Sequence, residues 1–151
     1  MRTLTIKRLK IVAASFLLGL FVCMGTIAGN AYASETKESG PSKLLILWAS
    51  GDKDVAYMVA LAYPKVAKQS GWWDQIRIVI WGPSAKLLAE DPAMLPLIKA
   101  LQKEGVEIMA CKWCAEQYGV GKKLEEMGVK VDFMGEPLTK MLKSDWKILT
   151  F

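Results

Sequence analysis

The sequence predicts a three-layer α/β domain built on a five-stranded, mainly parallel sheet. Three observations carry that reading. Five short runs are apolar almost without interruption, the pattern of strands buried on both faces. Segments with helical spacing separate each run from the next. Helix punctuation falls between the runs, with Asp91 and Pro92 opening one segment and Gly105 and Gly128 closing two.

The strands are expected at "KLLILWAS" (43–50), "IRIVIWG" (76–82), "VEIMAC" (106–111), "VDFMG" (131–135) and "KILTF" (147–151). After the first comes "DVAYMVALAYPKVAKQSG", whose spacing places Val55, Met58, Val59 and Ala62 on one buried face. Pro64 is expected to kink or end that helix. "PSAKLLAEDPAMLPLIKALQKEG" reads as a short helix and a longer one, the longer capped by Asp91 and buried through Leu95, Ile98 and Leu101. "CAEQYGVGKKLEEMG" closes on Gly128, and "EPLTKMLKSDW" is a short final helix.

The chain divides into three parts. Residues 1–33 read as a secretory signal: basic "MRTLTIKRLK", apolar "IVAASFLLGLFVCMGTIAG", and small-x-small "AYA" before Ser34. An uncleaved membrane anchor is the alternative, weakened by Gly19, Gly25, Thr26 and Gly29. Cys23 fits a lipoprotein site badly, because Val22 and Phe21 precede it. Residues 34–42, "SETKESGPS", read as a flexible tether. Residues 43–151 form the domain. The expected location is periplasmic or extracellular, with membrane contact only through the leader before cleavage. An oxidising compartment of that kind lets a close cysteine pair persist as a disulfide.

Charge excludes little else. Four of the 20 basic residues (Arg2, Lys7, Arg8, Lys10) lie in the leader, and no acid precedes Glu35. The remainder has 16 basic residues against 15 acids, a net of +1, so a nucleic-acid footprint is unsupported. There is no histidine, which removes Ser-His-Asp and Cys-His catalysis and histidine-ligated zinc. "GVGKK" (119–123) has Glu116 and Lys123 where a phosphate loop needs glycine and Ser/Thr. "ASGDKD" puts Asp52 and Asp54 where they would repel an anion, and reads as a polar turn that caps a helix. No cofactor or metal is implied.

The carboxyl ends of parallel strands gather functional groups. Here they read "WASGDKD", "WGPS", "ACKWC" and "MGEP". They bring Trp48, Trp81, Cys111, Lys112, Trp113 and Met134 to one edge, either as a ligand pocket or as core and rim packing. The motif Cys111-Lys112-Trp113-Cys114 begins where a strand ends and a helix starts. Unpaired N–H groups at a helix start, with Lys112 nearby, favour a thiolate. The same spacing can close a disulfide, so a catalytic pair and a structural pair both remain open. Thioredoxin does not fit, because a helix separates the last two strands and no proline leads into either.

Taken together, "LLILWASGD", "IVIWGPSAKLLAED", "GVEIMACKWCAEQYGV" and "FMGEPLTKMLKSDWKILTF" resemble the DsrE/DsrF-like (DsrEFH-like) family of sulfur-relay proteins across residues 43–151. The resemblance implies a three-layer α/β/α sandwich with five parallel strands in the order 4-3-2-1-5, and assembly as a homo-oligomer, a trimer or hexamer. It also implies a persulfide-carrying cysteine at the end of strand three, the position of Cys111. The export signal and the second cysteine, Cys114, depart from the cytoplasmic relay members. The expectation is an exported protein that handles sulfur from a small sulfur compound or a partner-protein thiol, with Cys111 accepting sulfur and Cys114 resolving it. The alternatives are a non-catalytic oligomeric binding module with a structural disulfide, and a thiol–disulfide oxidoreductase.

Overall fold

The computed structural model describes residues 40–151; the leader and cleavage site expected over 1–33, and most of the tether, lie outside the described residues. Five strands, β1 (Lys43–Trp48), β2 (Gln75–Ile80), β3 (Glu107–Cys111), β4 (Lys130–Asp132) and β5 (Lys147–Thr150), form one sheet in the order β4-β3-β2-β1-β5. Every neighbouring pair is parallel. Ser42, at the end of the expected tether, is bound into the fold: its N–H and hydroxyl both donate to the Asp74 carboxylate, at 2.7 and 2.9 Å.

Register and crossover direction together produce the layers. The chain steps from β1 through β4 in one direction, so right-handed crossovers put the intervening helices on one face. These are α1 (Lys53–Val55), α2 (Ala62–Gln69), α3 (Pro83–Glu90), α4 (Leu95–Lys103), α5 (Lys112–Gln117) and α6 (Gly121–Glu126). The step from β4 back to β5 carries α7 (Gly135–Leu142) over the other face. Strand alternation agrees with this. Leu44, Ile46, Trp48, Ile76, Ile78, Ile80, Ile108 and Ala110 share one side and are all buried. Arg77 lies on the opposite side, where its guanidinium reaches Met141 of α7 at 3.1 Å. It also pairs with Glu107 across the β2–β3 register and stacks 4.9 Å over the Trp146 ring.

Several local expectations shift. The face expected from Val55, Met58, Val59 and Ala62 is not the buried one. Ala56, Ala60, Leu61, Pro64 and Ala67 are buried instead, and Met58 is 75% exposed. Residues 56–60 form a π-helical turn in which Leu61 N–H bonds to Ala56 O. That extra residue rotates the following positions by about 100° relative to a continuous α-helix. Pro64 does not end the helix either. It sits in the first turn of α2, where its missing N–H costs least. In the next helical stretch Asp91 caps as expected, accepting from Ala93 N–H at 3.1 Å. The stretch begins with a short 3₁₀ turn (Pro92–Met94), which turns Met94 inward and leaves Leu95 exposed. The segment before Gly128 breaks into α5 and α6 at Gly119, whose φ is +65°. Gly105 and Gly128 close α4 and α6 at φ +81° and +77°. β4 is shorter than expected, and Met134 falls beyond it as the residue that opens α7.

Candidate functional site

The four strand-end segments meet at the carboxyl edge of the sheet. β3 ends on Cys111, which has extended backbone (φ −67°, ψ 114°) and stands at the N-cap of α5 without a side-chain capping bond. Cys114 follows one helical turn later, in the first turn of α5. Both are free thiols and nearly closed to solvent, 4% and 3% exposed. The two thiols interact with each other, and the Gly82 backbone N–H also acts on the Cys114 thiol. Burial, followed by the hydrogen bond with Cys111, pushes the Cys114 thiol above its ordinary value; the Gly82 N–H pulls the other way.

The residues between the cysteines face outward. Trp113 is 60% exposed. The Lys112 ammonium lies 3.9 Å from Glu116 and 5.0 Å from the centre of the Phe133 ring, so its charge is shared with those two neighbours. Trp48 and Met134 are fully buried, and Trp81 is half-buried. Trp48 and Met134 therefore belong to the core beneath the edge, while Trp81, Lys112 and Trp113 reach its surface. Among the described residues, Trp48 Nε1 is a buried side-chain polar atom without a hydrogen-bond partner.

The "WGPS" turn carries two residues that the sequence reading passed over. Ser84 is fully buried; its hydroxyl donates to Trp48 O at 2.6 Å and accepts from Trp81 N–H at 3.0 Å. It thereby ties the ends of β1 and β2 together. Gly82 holds φ +66° and ψ −134° at the N-cap of α3. A glycine-proline-serine step directly after a strand was the available signal, since each residue meets a need at a helix start. The Trp48 carbonyl to which the serine donates lies 36 residues away and leaves no local trace.

Beside this edge, "ASGDKD" performs the capping expected of it, with Asp52 accepting from Val55 N–H at 2.9 Å. Lys53 Nζ sits 3.1 Å from the Asp91 carboxylate and holds that carboxyl below its usual value. Tyr57 joins them, its hydroxyl raised first by burial and then by its bond to Asp91. No group of three or more His, Cys, Asp or Glu able to hold a metal occurs among the described residues. A cleft of about 250 Å³ lies at the opposite, amino edge, lined by Gly40, Pro41, Ser42, Lys43, Trp73, Asp145 and Lys147.

Comparison with known proteins bears on this arrangement. A family model described as the DsrE/DsrF-like family matches residues 43–151. Among solved structures, the chain is similar to a conserved protein of unknown function from Bacteroides thetaiotaomicron, with 38% identity and a TM-score of 0.70, over 73% of this chain and 95% of that one. It is similar in fold to the ychN protein from E. coli (16% identity, TM-score 0.58) and to a protein of unknown function from Methanobacterium thermoautotrophicum (17%, 0.61). Each likeness covers 73% of this chain and 99% of the other. No curated protein matches.

Proposed function

The chain belongs to the DsrE/DsrF-like family, and from that premise we propose that it is an exported sulfur-handling protein in which Cys111 accepts sulfur and Cys114 resolves the product. The observation that carries this reading is the pair of buried free thiols, one helical turn apart, at the junction of β3 and α5. The Cys111 thiolate attacks the outer sulfur of a donor such as thiosulfate; a persulfide forms, the donor S–S bond breaks and sulfite leaves with the bonding electrons. The Cys114 thiolate then attacks Cys111 Sγ. A Cys111–Cys114 disulfide forms and hydrosulfide departs, so the two cysteines are oxidised by two electrons and the transferred sulfur is reduced. Two external thiols, themselves joined as a disulfide, restore the pair. Near-complete burial of both sulfurs suits a donor of a few atoms better than a folded protein.

The same burial favours a second reading, an oligomeric binding module in which 111–114 closes as a structural disulfide. Intact mass spectrometry after exposure to thiosulfate or polysulfide tests the two. Hydrosulfide release by the wild type, with one added sulfur atom retained on Cys111 in Cys114→Ser, supports the carrier; an unreactive disulfide supports the module. Export follows from the leader, and N-terminal sequencing of cell-derived protein should begin at Ser34. Exposed Met58, Trp72, Trp113 and Phe133 support a homo-oligomer, a trimer or hexamer. A stable monomer in light scattering at micromolar concentration would count against it.

A further inference from the structure

We propose that Lys112 is the anion-binding residue of the site: its ammonium leaves Glu116 and Phe133 for the charged oxygens of the sulfur donor, and so selects a dianionic donor such as thiosulfate. The inference rests on the sulfur-accepting role of Cys111 and assigns the residue that chooses what Cys111 attacks.

Placement comes from the strand ends. β3 and β4 run side by side, with Cys111 in register with Asp132. The chain leaves both strands in the same direction, and the next residues meet: the Lys112 ammonium lies 5.0 Å from the centre of the Phe133 ring. Lys112 therefore spans the seam between the two strand ends, one of which is Cys111. Its other neighbour, Glu116, stands one turn further along α5.

Both contacts are loose. Lys43 and Lys53 reach their carboxylates at 3.1 Å, and Lys140 reaches its own at 2.6 Å. Lys112 stands 3.9 Å from Glu116, beyond hydrogen-bond range, and both side chains are about half exposed. An ion pair of that kind is weak, and so is a cation–π contact on an exposed ring. An ammonium carries three donors, and neither contact is a hydrogen bond. The oxygens of a small dianion offer both charge and acceptors, and displace these neighbours at little cost.

Burial divides the donor between the two residues. Cys111 is 4% exposed, so the outer sulfur of thiosulfate goes in while its oxygens stay at the surface with Lys112. Asp132 and Glu116 place negative charge beside that approach and oppose an anion; the lysine offsets them. As the Cys111 thiolate attacks, a bond forms to the outer sulfur and the S–S bond of thiosulfate breaks. The bonding pair moves onto sulfite, where the ammonium meets the charge, and Cys111 keeps the persulfide.

Thiosulfate and methanethiosulfonate test this in the full chain. The second has the same tetrahedral shape, but a methyl group replaces one oxygen, so it is a monoanion that leaves as sulfinate. Hydrosulfide release gives kcat/KM for each donor. Lys112→Gln should lower the thiosulfate-to-methanethiosulfonate ratio ~5- to 20-fold, the range of one half-exposed bond to a charged group. Lys112→Arg should keep the ratio, and Glu116→Gln should raise it by freeing the ammonium. A ratio unmoved in Lys112→Gln would overturn the proposal. Binding is read separately in Cys111→Ser, which cannot take up sulfur. Thiosulfate should shift its Phe133 ring resonances as the ammonium leaves the ring. No shift, or a shift that survives the further change Lys112→Gln, refutes the assignment. Wild-type protein that takes up sulfur from neither donor would break the proposed reaction, and the Phe133 titration would still decide the anion site.

Discussion

The two edges of the sheet use the same kinds of bond to opposite ends. At the amino edge Ser42 binds Asp74, Lys43 pairs with Asp145 at 3.1 Å, and the groups stand open around a cleft of about 250 Å³. At the carboxyl edge another serine, Ser84, binds a strand end beside two free thiols, but all three are buried. Water screens the first set and replaces its partners cheaply. The second set sits where an unmade bond keeps its full desolvation cost and where a charge is opposed. Single groups therefore weigh more at the carboxyl edge than at the amino edge.

The largest effect that tests this contrast is in the floor of the carboxyl edge. Met134→Ala should cost about 2–5 kcal/mol in urea unfolding, because the side chain is fully buried. A loss under about 1 kcal/mol would mark it as pocket lining that tolerates a void. Ser84→Ala should come next, at about 1–3 kcal/mol, since it removes the hydroxyl that joins β1 to β2. An unchanged urea midpoint would show that the clamp is dispensable.

The thiols supply a pH signature. Because the folded state raises Cys114 above its ordinary thiol value, the native protein holds more protons than the unfolded chain in that alkaline range. The contribution is present below the unfolded value and is lost as pH rises through the folded one. Stability should thus fall with alkali, and Cys114→Ser should flatten that fall. At neutral pH, after reduction, Cys111 should alkylate faster than Cys114. Equal rates, with equal destabilisation by Cys111→Ser and Cys114→Ser, would favour the structural disulfide.

The smallest effect belongs to the amino edge. Lys43 holds the Asp145 carboxyl below its usual value. Its contribution is present above the unfolded value and lost as pH falls through the folded one. Asp145→Asn should leave the neutral-pH midpoint within error, and salt should erase any remaining difference. A loss comparable to Ser84→Ala would dissolve the contrast between the edges.

What the sequence could show was whatever depends on near neighbours. The apolar runs predicted five strands and a parallel sheet; Asp52 and Asp91 announced their caps, and Gly105 and Gly128 the helix ends. Cys111 was legible at a strand end because β3 and α5 each declare themselves locally. The buried face of the first helical segment was not. A π-helical turn at 56–60 changes the phase without a residue type that signals it. Met94 replaced Leu95 inside for the same reason, a 3₁₀ turn where regular spacing was assumed.

Only the tertiary structure decided how the carboxyl edge works. Tryptophan can be core, rim or surface; Trp48 ends β1 inside the core, Trp81 follows β2 half-buried, and Trp113 lies exposed in the first turn of α5. Lys112 was drawn to Glu116 and Phe133, the latter 21 residues along the chain. Ser84 acquired its role from Trp48, which reaches it only when β1 and β2 lie side by side. Local propensity and periodicity are properties of a short stretch of chain, so a sequence displays them. Burial and long-range hydrogen bonds belong to pairs of residues brought together by folding.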